Sequence, residues 1–318
     1  MKKEQPIFVG VSSCLLGAKV RFDAGHKKSD FVTDIMSDYV KFVSVCPEIE
    51  IGMGTPREAV RLVGSNENPE MLGVKSGISW TTKMNSYSNT RIKNADMKKL
   101  SGYILKSKSP SCGMERVKVY TEKGMPSHSG SGLFAKKLMD AYPYLPIEEE
   151  GRLQDKKIRE NFIIRLFAYN RLKQLLKEPF SRKKIIQFHT EHKYLLMSHS
   201  VKHYKLIGQL VAKISEYKPA AFKKEYRQLF MDALKYQATA KKHTNVLMHI
   251  LGYLKNNLTA DEKSAILESI EDYRLRFIPL IVPVTLLKHY IYKYDVTYIK
   301  NQVYLEPHPK ELMLRNHV

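Results

Sequence analysis

The sequence predicts an α/β domain followed by an all-helical domain. In the first 150 residues, short apolar runs of strand length alternate with stretches of helical character. Beyond residue 150, apolar residues recur at helical spacing almost to the end. The length of 318 residues also suits about two domains of roughly 100–200 residues each. We predict an α/β domain over residues 1–150, a connecting helix over 151–180 and a basic helical domain over 181–318.

The α/β domain is predicted to have a mainly parallel, Rossmann-like sheet, because its strands alternate with helices. The first predicted strand is Pro6–Ser13, which is rich in Ile, Phe and Val. A helix over Asp30–Tyr39 leads to a second strand, Phe42–Val45. The remaining predicted elements are strands Arg61–Val63, Ile78–Trp80, Gly102–Leu105 and Val117–Tyr120, and helices Met84–Leu100 and Leu133–Tyr142. The acidic run Pro146–Gly151 is interpreted as a boundary.

The second domain shows helical spacing and helix-end signals. Pro179 ends a first helix, and residues 183–217 form one long helical candidate. Phe222–Leu258 accommodates one or two helices. Thr259 and Glu262 form a capping box for the next helix, and Val284–Tyr292 suits a final one.

The charge is concentrated in the second half of the chain. The formal net charge is +21, and residues 151–318 hold 31 Lys or Arg against 15 Asp or Glu. Such a domain usually meets a polyanion, nucleic acid first and an anionic membrane second. A solubility surface is the alternative. The basic clusters predicted to contact RNA phosphates are Arg182, Lys183, Lys184, Lys223, Lys224, Lys241 and Lys242.

The sequence predicts a cytoplasmic protein with no membrane segment and no obligate protein partner. No run approaches the ~18 apolar residues of a membrane helix. The start, Met1-Lys2-Lys3 followed by Ile7–Val11, faintly imitates a lipoprotein signal, but Pro6 interrupts it. Three widely spaced cysteines argue against a disulfide framework.

Each cysteine follows a predicted strand. Cys14, Cys46 and Cys112 are therefore expected to meet at the carboxyl edge of the sheet, where ligands bind in such folds. Three cysteines without a fourth suggest a [4Fe–4S] cluster with one open iron, which can act as a Lewis acid. Zinc held by three thiolates and water is the rival metal site.

Glu48 and Ser109 are the predicted acid–base pair. Glu48 lies two residues after Cys46, and Ser109 lies three residues before Cys112. A partly buried carboxylate can exchange protons with a substrate or water. The alternatives are that Glu48 caps a helix or pairs with Arg57, and that Ser109 only forms a turn.

Three histidines, His192, His199 and His203, share one predicted helical stripe. The spacing of His199 and His203 could bind a metal ion. Because no cysteine or carboxylate nearby completes a site, we predict histidines hydrogen-bonded inside a helical bundle instead.

Three motifs resemble the thiouracil desulfurase family over roughly residues 6–150. These motifs are Ser12-Ser13-Cys14-Leu15-Leu16-Gly17, Val45-Cys46-Pro47-Glu48 with Gly54-Thr55-Pro56-Arg57, and Lys106-Ser107-Lys108-Ser109-Pro110-Ser111-Cys112-Gly113. The resemblance implies a [4Fe–4S] cluster held by Cys14, Cys46 and Cys112, with the unique iron taking a thiocarbonyl sulfur. It further implies that Glu48 activates water and that Ser109 assists proton transfer.

The second half resembles the helical domain of unknown function, number 1722, that is often fused to this desulfurase domain. The resemblance is carried by His192–Ser200, Asn245–Tyr253 and Ile278–Pro283. Fused chains of this type resemble the tRNA 4-thiouridine desulfidases, which implies thiolated tRNA as substrate and a tRNA-recognising helical domain. The open alternatives are a desulfurase of free thiouracil or a small thioamide, and a non-catalytic nucleic-acid-binding protein with a structural or redox-sensing cluster.

Overall fold

The fold is taken from a computed structural model, which describes residues 6–121 and 124–317. The chain divides into two compact units, with the break between Asp155 and Lys156. The first unit is α/β and the second is mostly helical, as predicted. The Met1-Lys2-Lys3 start lies outside the described residues.

A four-stranded parallel sheet forms the core of the first unit. The strands of this unit are β1 (Ile7–Ser12), β2 (Val40–Val45), β3 (Val60–Gly64), β4 (Pro69–Gly73), β5 (Leu100–Leu105), β6 (Val117–Tyr120), β7 (Pro126–Gly130) and β8 (Ile147–Glu149). The order in the core sheet is β2-β1-β5-β8, and all neighbouring pairs are parallel. Every residue of β5 is buried, as expected for a parallel strand covered on both faces.

A second sheet, with the order β4-β3-β6-β7, was not predicted. It is mixed, because β3 pairs antiparallel with β4 but parallel with β6. Its edge strands β4 and β7 begin with proline and end with glycine, so they carry little strand signal. The predicted strand Ile78–Trp80 is wrong, since only an isolated bridge between Ser79 and Leu72 forms there.

The helices of the first unit are α1 (Pro47–Glu50), α2 (Thr81–Arg91), α3 (Ala95–Lys99) and α4 (Leu133–Ala141). The predicted helix Met84–Leu100 is thus two helices. The predicted Asp30–Tyr39 helix is also wrong as a regular α-helix, because a π-type turn is followed by a 3-10 turn. Thr33 Oγ1 donates to the Ser29 carbonyl oxygen there, a contact that disturbs regular helices.

The helices of the second unit are α5 (Lys156–Lys177), α6 (Arg182–His199), α7 (Val201–Ala212), α8 (Pro219–Lys235), α9 (Ala240–Gly252), α10 (Ala260–Arg274), α11 (Ile281–Lys293) and α12 (Thr297–Lys300). The single helix predicted over 183–217 is wrong. Ser200 is extended and its side chain caps α7 by accepting a hydrogen bond from His203 N–H. The capping box of Thr259 and Glu262 is confirmed. Within the described ranges, no helix is long and apolar enough to cross a membrane.

Candidate functional site

The loops that follow three neighbouring parallel strands of the core sheet meet at one cavity. Cys14 lies in the turn after β1, Cys46 precedes α1 after β2, and Cys112 lies in the loop after β5. All three thiols line the same cavity of about 820 Å³. Adjacent parallel strands end at one edge of a sheet, which explains how residues so distant in sequence are brought together.

The loop after β5 is held tightly by glycine contacts. Gly113 N–H donates to the Ser109 carbonyl oxygen at 2.8 Å, and a Cβ on Gly113 would lie 2.9 Å from that oxygen. A Cβ on Gly132 would lie 2.8 Å from the backbone nitrogen of Cys112. Glycine is therefore required at both positions for the chain to pack against the loop.

The cysteine sulfurs lie in an environment that disfavours an isolated thiolate. Burial raises the pKa of Cys14 to about 11 and raises the pKa values of Cys46 and Cys112. Cys112 Sγ has the Ser111 hydroxyl at 3.7 Å. The backbone N–H groups of Ile49 and Glu48 in the α1 turn partly offset the effect of burial on the Cys46 pKa. Because they are buried, the sulfurs need a bound cation to ionise readily.

The three thiols at the cavity are the kind of donor that iron–sulfur clusters use. In residues 6–121 and 124–317, no three His, Cys, Asp or Glu side chains form a group suited to one metal ion. Iron–sulfur clusters are larger, are held by cysteine thiolates and are tuned by hydrogen bonds to sulfur. Cys14, Cys46 and Cys112 could hold such a group.

Glu48 is held at the cavity by two partners. One oxygen, Oε2, is ion-paired with Arg57, and the other, Oε1, accepts a hydrogen bond from Ser111 Oγ at 2.6 Å. Arg57 is fixed in turn by the carbonyl oxygens of Val20 and Gly54, at 3.0 and 2.8 Å. The pairing with Arg57, foreseen as an alternative for Glu48, is present. A carboxylate has about four acceptor positions, so Glu48 keeps capacity for a water molecule.

Ser109 reaches Glu48 mainly through Ser111, which the sequence reasoning did not single out. Ser109 Oγ is 3.5 Å from Glu48 Oε1 but 3.0 Å from Ser111 Oγ. Because the Ser111 hydroxyl hydrogen is directed to Glu48, Ser109 is the donor to Ser111. The three side chains form a chain along which a proton can pass. The serine-rich motif was the only signal in the sequence for Ser111.

A second charged cluster supports the same loop. Lys106 is ion-paired with Glu150, whose carboxylate also accepts from Ser107 N–H at 2.7 Å. Glu149 accepts from Met114 N–H at 2.7 Å. The acidic run interpreted as a boundary therefore includes β8 and the carboxylates that anchor the loop. Sequence reasoning missed this role because the partners are 35 to 44 residues away.

The cavity wall is strongly cationic. Arg57 and Lys106 are neutralised by Glu48 and Glu150, respectively. Five further cations line the cavity without a carboxylate partner among the described residues: Lys27, Arg61, Lys108, Arg116 and Lys118. A cavity with this excess of positive charge suits an anionic ligand.

The predicted RNA-contacting cations lie on three helices of the second unit. Arg182, Lys183 and Lys184 begin α6, and Lys241 and Lys242 begin α9, whereas Lys223 and Lys224 lie in α8. Lys184 pairs with Glu178, Lys223 donates to the carbonyl oxygens of Leu176 and Glu178, and Lys242 donates to that of His199. Arg182, Lys183, Lys224 and Lys241 are exposed.

The histidines of the helical unit are hydrogen-bonded as predicted. His192 Nδ1 donates to the Phe188 carbonyl oxygen at 2.7 Å, and His199 Nδ1 donates to that of Tyr236 at 2.6 Å. His203 Nδ1 lies 2.8 Å from Ser200 Oγ. Burial lowers the pKa of His192 to about 3 and that of His199 to about 4, so both are neutral near pH 7.

Comparison with known proteins divides the chain into two matched regions. Residues 9–150 match the 2-thiouracil desulfurase family, and residues 193–309 match a protein family of unknown function, DUF1722. The uncharacterized protein YbbK of Bacillus subtilis (strain 168) is 32% identical over 136 residues, which covers 41% of this chain and 89% of YbbK.

Two further proteins are similar over about half of the chain. The uncharacterized protein YbgA of Escherichia coli (strain K12) is 29% identical over 162 residues, covering 51% of this chain and 96% of YbgA. A solved structure of the [4Fe-4S]-dependent thiouracil desulfidase TudS is 24% identical and covers 48% of this chain and 95% of TudS, with a TM-score of 0.38.

Proposed function

The chain belongs to the 2-thiouracil desulfurase family, and we propose that it removes sulfur from 4-thiouridine in tRNA, giving uridine and sulfide. One observation carries this proposal: three thiols and the Glu48 carboxylate line a single cationic cavity. The reaction exchanges C=S for C=O. One water is consumed and one hydrogen sulfide is released, so no electrons are gained or lost.

We propose that Cys14, Cys46 and Cys112 hold a [4Fe–4S] cluster that has one iron without a protein ligand. The support is a set of three thiols at one cavity, with backbone amides beside Cys46 and serine hydroxyls beside Cys112. When bound, the cluster supplies a Lewis-acidic iron with affinity for sulfur. A fourth thiol from this chain is excluded, because the chain has three cysteines.

The side chains around the cavity supply the proton chemistry. Glu48, kept in place by Arg57 and Ser111, accepts a proton from water as the water adds to the thiocarbonyl carbon. Ser109 stands at the other end of the hydroxyl chain and passes a proton between Ser111 and the substrate. The ion pair with Arg57 keeps the Glu48 carboxylate at the cavity that the three thiols line.

The charge distribution supports a nucleic acid substrate over a free base. Free thiouracil carries no phosphate, yet cations without a carboxylate partner among the described residues line the cavity. Arg182 and Lys183 occupy the first turn of α6, and Lys241 occupies that of α9, where the helix dipole disfavours positive charge. Cations placed against the dipole are better explained by contact with phosphates than by helix stability.

Turnover of different substrates tests the proposal. Holoprotein prepared without oxygen is given tRNA containing 4-thiouridine, or free thiouracil, and the products are separated by chromatography. We expect faster conversion of the tRNA nucleoside to uridine at equal substrate concentration. Conversion of free thiouracil alone supports the small-molecule alternative. RNA binding without sulfide release supports the non-catalytic alternative.

A further inference from the structure

An exposed aromatic cluster surrounds Lys193 in the helical unit. The Lys193 ammonium nitrogen lies 4.6, 5.4 and 4.5 Å from the ring centroids of Tyr194, Tyr253 and Tyr298. It also donates hydrogen bonds to the hydroxyl oxygens of Tyr298 and Tyr253, at 2.8 and 3.4 Å. Lys193, Tyr253 and Tyr298 are called the tyrosine platform below.

The platform is built on a fixed scaffold. Lys193 belongs to α6, Tyr253 directly follows α9, and Tyr298 belongs to α12. The segment after α12 is anchored to α6, since Gln302 Nε2 and Val303 N–H donate to α6 carbonyl oxygens at 2.8 Å each. The rings are therefore held in place before any ligand arrives.

The Tyr253 and Tyr298 rings face solvent instead of the core. Tyr253 is 42% exposed and Tyr298 is 48% exposed, whereas Tyr226 and Tyr304 of the same unit are fully buried. The Tyr253 and Tyr298 rings stack on each other, with centroids 5.4 Å apart and planes 27° apart. An ordered, exposed aromatic stack contributes little to the core but offers a surface on which a planar group can stack.

The ammonium group retains binding capacity. Lys193 has three N–H donors, and its hydrogen bonds to the described residues use two of them. Lys255 lies two residues from Tyr253 in sequence, and residues 151–318 carry a net charge of +16. An aromatic stack with a cation beside it, in a basic unit, matches a ligand with planar rings and negative charges.

We propose that the tyrosine platform binds unpaired nucleotides of the RNA substrate. Bases stack on the exposed ring faces, and a phosphate oxygen accepts the remaining Lys193 N–H. This inference rests on the proposed function, because it assigns part of tRNA recognition to a particular surface. The surface is distinct from the lysine and arginine clusters predicted from the sequence.

Binding of a fluorescent, unmodified tRNA to the full-length holoprotein tests the platform without involving turnover. Tyr253→Ala and Tyr298→Ala are each expected to weaken binding about tenfold, since each removes a stacking surface. Tyr253→Phe retains the ring and is expected to bind within about twofold of wild type. Phe277→Ala is the matched control, because Phe277 is 72% exposed but lies outside the platform.

A second probe addresses the requirement for unpaired bases. Oligouridine should compete with tRNA for wild type and lose this ability with Tyr253→Ala, while binding of a fully paired RNA duplex should be unchanged. Free thiouracil turnover should be the same in all variants.

The outcomes separate the platform from the proposed function. A wild type that neither binds tRNA nor desulfurates it overturns the proposed function. A wild type that does both, with alanine variants that bind tRNA equally tightly, overturns the platform alone. The platform is also overturned if the alanine variants lose affinity equally for the duplex and for oligouridine.

Discussion

The Ser111 hydroxyl donates a 2.6 Å hydrogen bond to Oε1 of Glu48, across 63 residues of sequence. The opposite oxygen of Glu48 is ion-paired with Arg57. The carboxylate is thus fixed from both sides at the cavity that also holds the three thiols. Fixing a general base in this way reduces the entropy cost of reaching the reactive geometry.

Replacing Glu48 with glutamine should abolish most turnover while leaving the cluster in place. Glutamine has nearly the same shape but cannot accept the proton from water, and general base catalysis is worth about 10²–10⁴-fold. Sulfide release and iron content are measured on the same sample. Glu70→Gln is the control, since Glu70 is exposed on β4 and is not part of the cavity lining. Full activity of Glu48→Gln would show that Glu48 is not the base.

Replacing Ser111 with alanine should lower kcat by about 10–10²-fold, because Glu48 loses its fixed position and the link to Ser109 is broken. Ser44→Ala is the control, since it removes a hydroxyl that is bonded to Ser13 instead of to Glu48. Both variants should retain iron. If Ser109→Ala lowers kcat but Ser111→Ala does not, the hydroxyl chain does not operate.

Replacing any one of Cys14, Cys46 or Cys112 with alanine should remove the brown chromophore and reduce bound iron. Three thiolates are the minimum that leaves a single iron open, so no cysteine is spare. Iron analysis and visible absorption provide the measurement, and far-UV circular dichroism checks that the fold survives. An unchanged spectrum for one variant contradicts the assignment of that cysteine as a ligand.

Neutralising a cavity cation should affect tRNA more than thiouracil. Lys118→Met should raise the KM for thiolated tRNA. It should also reduce the slope of that KM against salt concentration by the amount expected for the loss of about one phosphate contact. Turnover of uncharged thiouracil should be unchanged. Lys98→Met removes the same charge from α3, outside the cavity lining, and should have no effect. If both variants changed the KM for thiolated tRNA equally, the effect would come from the net charge and not from the position of Lys118 at the cavity.

Acid should destabilise the helical unit. Burial lowers the pKa values of His192, His199 and His243 below the ordinary value of about 6.5. Below pH 6.5 the unfolded chain therefore binds more protons than the folded one. The free energy of unfolding then decreases as the pH is lowered. The expected loss is about 2 kcal/mol per histidine between pH 7 and pH 5. Urea unfolding followed by circular dichroism measures it.

The controls for this pH dependence are single histidine variants. His199→Gln should reduce the difference between pH 7 and pH 5, since it removes one titrating group. His26→Gln should not, because His26 is exposed. A free energy of unfolding that is constant from pH 7 to pH 5 contradicts the prediction.

The meeting of the three cysteines was predictable because parallel strands end at one edge of a sheet. β1, β2 and β5 carry strong apolar patterns, so their ends and the thiols beyond them could be placed from sequence. The strands β4 and β7 were missed, because short edge strands bounded by proline and glycine have little apolar periodicity.

The partners of the site residues were less predictable. Ser109 and Ser111 differ by two positions in one motif, and only the turn geometry decides which hydroxyl reaches Glu48 at 2.6 Å. Likewise, Ser200 can sit within a helix or cap the next one, and its extended backbone decides in favour of the cap. Such choices depend on tertiary contacts that local patterns do not contain.

Anaerobic reconstitution with iron and sulfide, followed by a sulfide assay on tRNA containing 4-thiouridine, tests the central claim most directly. We predict one sulfide released and one uridine formed for each 4-thiouridine lost by wild type, with no added reductant. Glu48→Gln with full iron content should release almost none. A reconstituted wild type that binds iron but leaves the 4-thiouridine intact would contradict the account.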